Sequence, residues 1–425
     1  MLEPLTGHDY YRATSPGPSW PALSGAVDAA VCIIGGGFAG LATAMSLMER
    51  GQRDVVLLEA RQIGFGASGR NGGFVFGGFS LGERALAATA GQEAARALYR
   101  LTLAAIERIR TRIAGHAIDC DAREEGVYLA NWFDDDALLD SQQRFMQETL
   151  QVEWRRIGRA ELADKLATRR YFGALFEPCA FHFHPLKYAQ GLARTLAAGG
   201  IALHEESRAA AVEREGAHWR IATAQGQVRA REVVICCGGY LGKLHARLGS
   251  AALPIATYAM VTEPLGARLQ TALRTGAAVY DTRFAFDYYR PLPDSRLLWG
   301  GRIAVCERSA AQVARLLYGD MLKVYPQLRG TRIDYAWSGM MSYGRHKMPL
   351  LGRLPDGLWY GLGFGGHGVA PTTVAGEVLA AALTGDDAAL ARFAPWGLRR
   401  TGGPAGLGAA QLAYWYWQLR DWMRQ

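Results

Sequence analysis

The distribution of apolar residues near the start of the chain predicts a strand, a helix and a second strand. A short apolar run covers residues 29–34, a glycine turn follows, a helical spacing covers about 38–50, and a second apolar run covers 55–59. A helix that joins two buried strands in this way forms a βαβ unit, the repeating element of a parallel sheet. The pattern therefore predicts an α/β domain.

Farther along the chain, the pattern changes from helical to strand-like. Between about 81 and 170, amphipathic spacing predicts long helices over 84–114 and 135–168, and residues 120–130 predict a strand that enters another module. Residues 201–235 alternate between apolar and polar positions, which predicts two or three strands. The last of them ends in a pair of glycines, which places a second tight backbone turn near the first.

An aromatic, strand-rich region follows at 253–340, with one helix predicted over 308–325. Aromatic alternation predicts a sheet with one packed face, and its Tyr and Trp side chains also suit an apolar pocket wall. Residues 356–387 then predict a strand, a glycine loop and a helix that starts near Gly368. This loop matches GxGxxG, but no second strand with an acid follows the helix, so we expect the positive end of the helix to face a bound group instead.

Composition and charge narrow the class of protein. Of 425 residues, 50% are hydrophobic and 20% charged, which excludes a disordered chain and predicts one large α/β unit or two intertwined domains. The net charge is +8, but the basic residues are scattered, so no nucleic-acid partner is expected. The chain shows no secretory signal, no long uninterrupted apolar segment and no disulfide framework among its six Cys, so we expect a cytoplasmic protein.

Two short patterns have competing interpretations. Cys236 and Cys237 fit a redox dithiol, but they lie in a buried-strand pattern and are better interpreted as small core residues. His182 and His184 have the spacing of a metal pair on a strand, but without a third ligand nearby we expect a structural role. The sequence therefore predicts no metal site.

The first βαβ unit carries the spacing of a dinucleotide-binding site. Gly35, Gly37 and Gly40 satisfy GxGxxG, and Glu59 ends the second strand. The first glycine permits the tight turn, the second lets a pyrophosphate approach the backbone, the third lets helix and strand pack, and the acid accepts hydrogen bonds from a ribose. Only one such site is present, so the cofactor is either NAD in a simple dehydrogenase or FAD reduced directly by an organic substrate. The glycine segment 64–73 and the later glycine turns favour the longer FAD.

Several motifs together resemble a known family. IIGGGFAGL, GASGRNGG, VVICCGGY, TEPL, WSG, PLLGRLPD and GFGGHGV, in this order, are similar to motifs of the glycine/D-amino-acid oxidase-like superfamily of FAD-dependent oxidoreductases. Within it, GFGASGRNGG and GRLPD with GHGV look most similar to the gamma-glutamylputrescine oxidase group. The resemblance implies an α/β fold in which a Rossmann-like FAD-binding domain is interleaved with an antiparallel-sheet substrate domain.

The implied division of the chain has four parts. We expect an N-terminal arm (1–27), an FAD-binding domain (28–80, 170–250 and 340–400), a substrate-binding domain (81–169 and 251–339) and a C-terminal helix (401–425). The FAD contacts implied by the resemblance are Gly35, Gly37, Phe38, Ala39, Gly40, Glu59, Ala60, Ala67, Ser68, Arg70, Asn71, Gly72, Gly73, Ala209, Cys237, Gly238, Gly365, Gly366, His367, Gly368 and Val369.

The reaction implied is oxidation of a C–N bond in a small amine or amino acid. Hydride passes from the α-carbon to flavin N5, the imine is hydrolysed, and O2 reoxidises the flavin and gives hydrogen peroxide. Gly73 and Phe74 occupy the neighbourhood where N-methyl amino-acid oxidases of the superfamily carry a carboxylate-binding Arg, and residues 294–302 contain no oxygen-activating Lys. Small N-methyl amino acids are therefore disfavoured. Transfer to a quinone or another acceptor, a tRNA-modifying flavoprotein and a non-catalytic FAD-binding protein remain alternatives.

The aromatic region and the last glycine loop supply the expected catalytic and substrate-contacting residues. For His367 the alternatives are contact with the flavin, proton transfer or bracing of the loop. The others, each of which has packing or surface exposure as its alternative, are Tyr258, Tyr288, Arg290, Trp337 and Arg345.

The C-terminal segment predicts a helix with an apolar face. Leu412, Trp415, Leu419 and Trp422 share one side, and Arg residues lie near its end. This pattern fits packing on the protein's own domain or on a partner subunit, and it also fits peripheral contact with a membrane. The sequence assigns no oligomeric state.

Overall fold

A computed structural model describes residues 9–424, so the first eight residues of the expected N-terminal arm lie outside the described residues. The strands are β1 (Gly25–Ile34), β2 (Val55–Leu58), β3 (Phe74–Val75), β4 (Val127–Ala130), β5 (Arg155–Ile157), β6 (Ala174–Glu177), β7 (Phe181–His182), β8 (Ala202–His204), β9 (Ala211–Glu215), β10 (His218–Ala222), β11 (Gly226–Ile235), β12 (Ala252–Thr262), β13 (Ala278–Asp281), β14 (Asp287–Pro291), β15 (Leu297–Ala304), β16 (Ile333–Gly344), β17 (Leu350–Arg353) and β18 (Trp359–Leu362). The helices are α1 (Tyr10–Thr14), α2 (Phe38–Glu49), α3 (Glu83–Ala90), α4 (Gln92–Gly115), α5 (Asp136–Phe145), α6 (Arg159–Leu166), α7 (Pro185–Ala198), α8 (Ala246–Ala251), α9 (Ala310–Val324), α10 (Val369–Leu383), α11 (Ala388–Ala391) and α12 (Gly403–Met423).

The predicted βαβ unit is present as β1, α2 and β2. The two strands are parallel neighbours, and Ile34 pairs with Leu58 at their carboxyl ends. A methyl group on Gly40 would overlap the carbonyl oxygen of Gly35. The missing side chain therefore lets α2 approach the turn after β1, as the sequence predicts.

The first sheet has the order β17-β18-β11-β1-β2-β8, and β10 and β9 extend it from β11. Neighbours from β18 to β8 along this order are parallel, whereas β17 is antiparallel to β18. Because parallel strands end at the same edge of a sheet, the residues that follow β1, β2, β11 and β18 meet there. This arrangement confirms the predicted Rossmann-like α/β fold.

The second sheet has the order β16-β12-β15-β14-β13-β4-β6-β5. Its neighbours are antiparallel with one exception, because β4 and β13 pair in parallel with Val127 opposite Ala278. The expectation of an antiparallel sheet is corrected at this pair, where strands from two distant chain segments meet.

The helices within residues 83–166 differ from those that the periodicity of the sequence predicts. The expected helix over 84–114 is divided at Gly91, whose φ of +86° ends α3 and starts α4. The expected helix over 135–168 consists of α5, a π-helical turn, strand β5 and α6. Gln151 has a left-handed φ of +59° and ends the first helical part. The amphipathic spacing of the sequence continues past this chain reversal, so periodicity alone gives no sign of the break.

The elements also change the expected boundaries between the two parts of the chain. β6 belongs to the second sheet although residues 170–250 were assigned to the FAD-binding domain. α4 lies within the expected substrate domain, but its buried Arg112 forms an ion pair with Glu49 of α2 at 2.9 Å. α4 therefore packs with the nucleotide-binding part.

Candidate functional site

One cavity of about 1250 Å³ runs along the carboxyl edge of the first sheet and continues against the second sheet. Its walls include the turns after β1, β2, β11 and β18, the glycine segment 64–73, and residues of β12, β14, β15 and β16. The topology thus brings together in one space the segments that the sequence predicted to act together.

The turn after β1 is shaped to let a ligand approach the backbone. Gly35 has a φ of +116°, and a methyl group on it would lie 2.7 Å from the carbonyl oxygen of Cys236. Glu59, at the end of β2, accepts hydrogen bonds from the backbone nitrogens of Gly36 at 2.7 Å and Arg61 at 2.9 Å. Burial raises the pKa of Glu59. The acid therefore lies beside the glycine turn, where the sequence placed a ribose-binding group.

The glycine segment folds against the N-terminus of α2. The hydroxyl oxygen of Ser68 accepts a hydrogen bond from the backbone nitrogen of Phe38 at 2.8 Å. The amide nitrogen of Asn71 donates to the carbonyl oxygens of Ala67 and Ser68, and its amide oxygen accepts from Gly73. These bonds hold a compact turn instead of the flexible loop that seven glycines in residues 64–78 would otherwise permit.

Arg70 is held by groups of the protein itself. Its guanidinium lies 4.6 Å from the ring centre of Phe65, 3.7 Å from the carboxylate of Asp9 and 3.3 Å from the carbonyl oxygen of Ser338. The side chain lines the cavity between the two sheets. It supplies positive charge there without depending on a ligand for its position.

Arg290 braces the glycine segment from behind. It is 1% exposed, and it donates to the carbonyl oxygens of Gly72 at 2.6 Å and Phe183 at 2.8 Å and to the hydroxyl of Tyr11 at 3.1 Å. The backbone of Gly73, with a φ of +80°, packs against Phe183 and this guanidinium. Arg290 therefore fixes the segment from outside the cavity.

The far end of the cavity is formed by the N-terminus of α10. His367 lies just before the helix, and its Nε2 is 2.6 Å from the carbonyl oxygen of Gly77. Because a carbonyl oxygen only accepts, Nε2 carries the hydrogen and Nδ1 is left as an acceptor. Burial lowers the pKa of His367 to about 4, so the ring is neutral at pH 7.

The cavity lining includes every expected FAD contact except Gly40 and Gly73, which lie in the layer beneath it. Glycine turns without side chains, an acid at the end of β2 and the positive end of a helix form one continuous, elongated cradle. The residues present therefore fit FAD.

The expected substrate residues are divided by the structure. Tyr288, Arg345 and His367 line the cavity, whereas Tyr258, Arg290 and Trp337 do not. The hydroxyl of Tyr258 donates to the carbonyl oxygen of Cys306 at 2.8 Å, and Trp337 Nε1 donates to that of Arg70 at 2.9 Å. The expectation that these three residues form the pocket wall is therefore corrected.

Strand register explains the misplaced tyrosine. On β12, Ile255 and Thr257 line the cavity, while Ala256 and Tyr258 lie in the core beneath the sheet. Because successive side chains on a strand point to opposite faces, a one-residue error in the expected face exchanges the two sets. Trp337 lies farther from the cavity, under Arg70, where its ring packs edge-on against Tyr11.

An inner part of the cavity was missed by the sequence analysis. Glu83 accepts a hydrogen bond from the amide of Gln142 at 3.5 Å, and burial raises the pKa of Glu83. Glu177 is 4% exposed and lies behind this part of the wall, and burial raises its pKa to about 8. Glu83 lies at the start of α3, and an acid in the first turn of a helix is common. The sequence therefore gives no sign that this acid lines a binding site. The inner part is lined by Phe76, Glu83, Leu129, Gln142, Trp154 and Tyr280.

The cavity opens beside the C-terminal helix. Arg345, Lys347 and Arg400 are exposed residues of its lining, and α12 contributes a row of lining residues from Ala405 to Trp417. We call this open end the mouth. The sequence predicts α12 but gives no sign that this helix borders the cavity.

The two His side chains of the competing pattern are held by backbone groups. His182 Nε2 donates to the carbonyl oxygen of Gly276 at 2.7 Å, and His184 caps the N-terminus of α7. Cys236 and Cys237 are free and lie at the end of β11. Within residues 9–424 there is no group of three or more His, Cys, Asp or Glu residues that is suited to a metal ion.

Comparisons with known proteins agree with this geometry. The family model DAO, described as FAD dependent oxidoreductase, matches residues 30–382. Gamma-glutamylputrescine oxidoreductase of Escherichia coli (strain K12) is 35% identical over 395 residues, which cover 90% of each chain. The probable oxidoreductase OrdL of Haemophilus influenzae is 32% identical and covers 90% of this chain and 89% of its own.

Two solved structures share the same fold. The glycine oxidase from Geobacillus kaustophilus superposes with a TM-score of 0.71 at 22% identity, covering 88% of this chain and 99% of its own. The L-proline dehydrogenase from P. horikoshii also gives a TM-score of 0.71, at 19% identity, covering 89% of this chain and 100% of its own.

Proposed function

The chain belongs to the DAO family of FAD-dependent oxidoreductases, and from this premise we propose that it oxidises the C–N bond of an amine or amino acid. When bound, FAD supplies the acceptor for the hydride that leaves the carbon next to nitrogen, and O2 then takes the electrons and forms hydrogen peroxide. The names of similar proteins support the substrate class, since they include a gamma-glutamylputrescine oxidoreductase and a glycine oxidase.

The observation that carries the proposal is the continuity of the cavity. It extends from Glu59, at the ribose end of the predicted cradle, past the glycine segment to the N-terminus of α10, and then to the aromatic residues of the second sheet. A long cofactor and a small substrate can therefore lie end to end in one space. A cavity limited to the nucleotide cradle would instead suit a protein that only binds FAD.

We propose that the protein's own residues act by binding, orientation and charge. Glu59 and the turn after β1 hold the ribose and pyrophosphate, and the positive end of α10 stabilises negative charge on the bound ring. Neutral His367 keeps the α10 loop and the Gly77 backbone together. Its Nδ1 is free to accept a hydrogen bond.

The inner part of the cavity suits the amino group of the substrate. Phe76 and Tyr280 are stacked at 5.5 Å and form an apolar wall. Glu83 supplies a carboxyl group on the same wall, and its oxygen can accept a hydrogen bond from the neutral amine that gives up hydride. At the mouth, Arg345 and Lys347 offer positive charge to a remote carboxylate.

The decisive experiment is anaerobic spectrophotometry of the purified holoenzyme. Putrescine, gamma-glutamylputrescine, spermidine, pipecolate, sarcosine and common amino acids are added one at a time while flavin absorbance is followed. Loss of the absorbance with one class of amine supports the proposal. A flavoprotein that no amine reduces, but that retains FAD, contradicts it.

A second candidate keeps the same reaction with a different electron acceptor. The apolar surface of α12 beside the mouth and the lack of Lys in residues 294–302 support this alternative, in which a quinone takes the electrons. Admitting air to the reduced protein separates the two. Rapid reoxidation with one peroxide per substrate identifies an oxidase, whereas slow reoxidation that a soluble quinone accelerates identifies a dehydrogenase.

A further inference from the structure

The exposed large hydrophobic side chains of the described part of the chain are confined to one region. Two lie in the loop before β14 and the rest lie on α12. The set is Phe284, Phe286, Leu412, Trp415, Tyr416, Trp417, Leu419, Trp422 and Met423. Soluble proteins rarely expose contiguous apolar patches of this kind, and such patches mark interaction sites.

The outermost part of this region is a continuous helix surface. Trp415 is 57% exposed and Trp422 is 68% exposed, so both indole rings extend away from the protein. We define the aromatic face of α12 as Leu412, Trp415, Tyr416, Leu419, Trp422 and Met423. The apolar spacing of the sequence predicts most of this face, and the structure leaves it without a partner in the part of the chain that it describes.

The opposite side of α12 is fixed to the protein. Tyr414 is 5% exposed, and the carboxylate of Asp421 accepts a hydrogen bond from the backbone nitrogen of Phe284 at 2.8 Å. The amide oxygen of Gln411 accepts from Val305 at 3.2 Å, and Trp417 stacks on Phe284 at 5.7 Å. These contacts orient the helix, so the aromatic face points away from the second sheet.

Positive side chains lie around the aromatic face, and the acid at its C-terminal end, Asp135, is paired with Arg424 at 3.2 Å. Asp421 is the acidic residue of α12, and it is engaged with the loop at Phe284. Arg420 is exposed and lies 4.9 Å from the ring centre of Trp417. Arg345, Lys347 and Arg400 surround the mouth beside the helix, and the whole chain has a net charge of +8. A partner for this surface is therefore apolar and negatively charged.

We propose that the aromatic face of α12 docks on an anionic lipid bilayer, with the helix lying in the plane of the interface. Trp and Tyr rings prefer the level of the lipid headgroups, and flanking Arg residues pair with anionic headgroups. Within residues 9–424, no helix combines the length and the apolar character that a membrane span requires.

A second copy of the chain fits this surface less well. Packing one aromatic face on another would bring the Arg420 residues and the basic mouths of both copies together, and no exposed acid of α12 would compensate them. A bilayer beneath α12 instead offers negative charge to these basic side chains.

Vesicle sedimentation of the full-length holoenzyme tests the proposal directly. We expect sedimentation with vesicles of phosphatidylcholine and phosphatidylglycerol, and weaker binding to phosphatidylcholine alone or at high salt. The double substitution Trp415→Ala and Trp422→Ala should lower the partition coefficient by about tenfold or more. Arg420→Glu should lower it several-fold, whereas Arg231→Glu, the same charge change at an exposed position of β11, should not.

Several results would overturn the lipid assignment. The assignment is wrong if the wild type remains in the supernatant with both vesicle types. It is also wrong if the double variant binds vesicles as tightly as the wild type. A dimer seen by light scattering that the double variant abolishes, without vesicle binding, would assign the face to a second copy. FAD content confirms that each variant is folded. Because this experiment measures vesicle binding, the docking proposal can hold even if the protein oxidises no amine. Equally, the proposed amine oxidation can hold even if the protein binds no vesicle.

Discussion

The hydroxyl oxygen of Ser68 lies 2.8 Å from the backbone nitrogen of Phe38, and this hydrogen bond joins the glycine segment to the N-terminus of α2. The nitrogen is one of the first in the helix and has no partner within it. The two segments that surround the predicted pyrophosphate site are therefore connected by one side chain.

Removing this hydroxyl should weaken the cradle without unfolding the protein. We expect Ser68→Ala to lower the free energy of unfolding by about 1 kcal/mol, the usual cost of losing a capping hydroxyl. FAD affinity should fall several-fold, because the segment is then held less firmly. Ser24→Ala, at an exposed position just before β1, is the control. Equal FAD dissociation constants in the two variants would show that the Ser68 bond does not support the site.

Gly40 should tolerate no side chain. In Gly40→Ala the methyl group would overlap the carbonyl oxygen of Gly35, so α2 must move away from the turn that is predicted to hold the pyrophosphate. We expect loss of about 3 kcal/mol of stability or more and loss of FAD from the purified protein. Denaturant unfolding and the flavin spectrum measure both.

The matched control for this substitution is Gly319→Ala. Gly319 lies in the middle of α9, and a methyl group there would meet no atom within 4 Å. Alanine is the better helix former, so this variant should gain about 0.5 to 1 kcal/mol. A similar loss in both variants would contradict the steric account of Gly40.

The nucleotide end of the site was predictable because it depends on local rules. Gly35, Gly37 and Glu59 lie within one βαβ unit, where backbone turns and parallel strands fix their relation. The inner part of the cavity depends instead on α3, α5, β4 and β13, which are distant in the sequence. No spacing rule connects Glu83 to Tyr280.

The errors in the sheet have the same origin. Tyr258 was expected in the pocket because its segment is aromatic, but aromatic residues occupy both faces of β12 and its neighbours. Which face meets the cavity is decided by the pairing of β12 with β15 and β16. The sequence of one strand does not contain that information.

Glu83 should affect the binding of amines more than turnover. Glu83→Gln keeps the shape but removes the carboxyl group, so we expect KM for reactive amines to rise about tenfold while kcat changes less. Steady-state kinetics on the best substrate measures this. Glu93→Gln, on the exposed side of the first turn of α4, is the control. An unchanged KM in Glu83→Gln would remove Glu83 from the substrate site.

Arg290 and Arg345 should have separable effects. Arg290→Lys loses hydrogen bonds to the buried carbonyl oxygens of Gly72 and Phe183, so stability should fall by about 2 kcal/mol. The ratio of KM values for amines with and without a carboxylate should stay constant. Arg345→Gln at the mouth should raise KM several-fold only for amines that carry a carboxylate. The opposite pattern would restore Arg290 as the substrate residue.

The stability of the fold should depend on pH through His182. Burial and the neighbouring Arg290 lower its pKa from 6.5 to about 3, so it is neutral in the folded state and protonates first in the unfolded chain. Between pH 7 and pH 5 this histidine therefore favours unfolding as the pH falls, by about 2 kcal/mol.

The contribution must be measured as a difference between proteins, because Glu177 has the opposite sign. Its pKa in the fold is about 8, so it is already protonated at pH 7 and favours the folded state as the pH falls. Urea unfolding at pH 7 and pH 5 should show a larger loss in the wild type than in His182→Gln. Equal losses would mean that His182 does not titrate as described.

The three walls of the cofactor cradle are far apart along the chain, at residues 35–73, 236–238 and 365–369. During synthesis, the last wall leaves the ribosome only after most of the chain has been translated. A nascent chain therefore has no complete cradle until residues 365–369 have been synthesised, so the first two walls must wait in an incomplete site for the third.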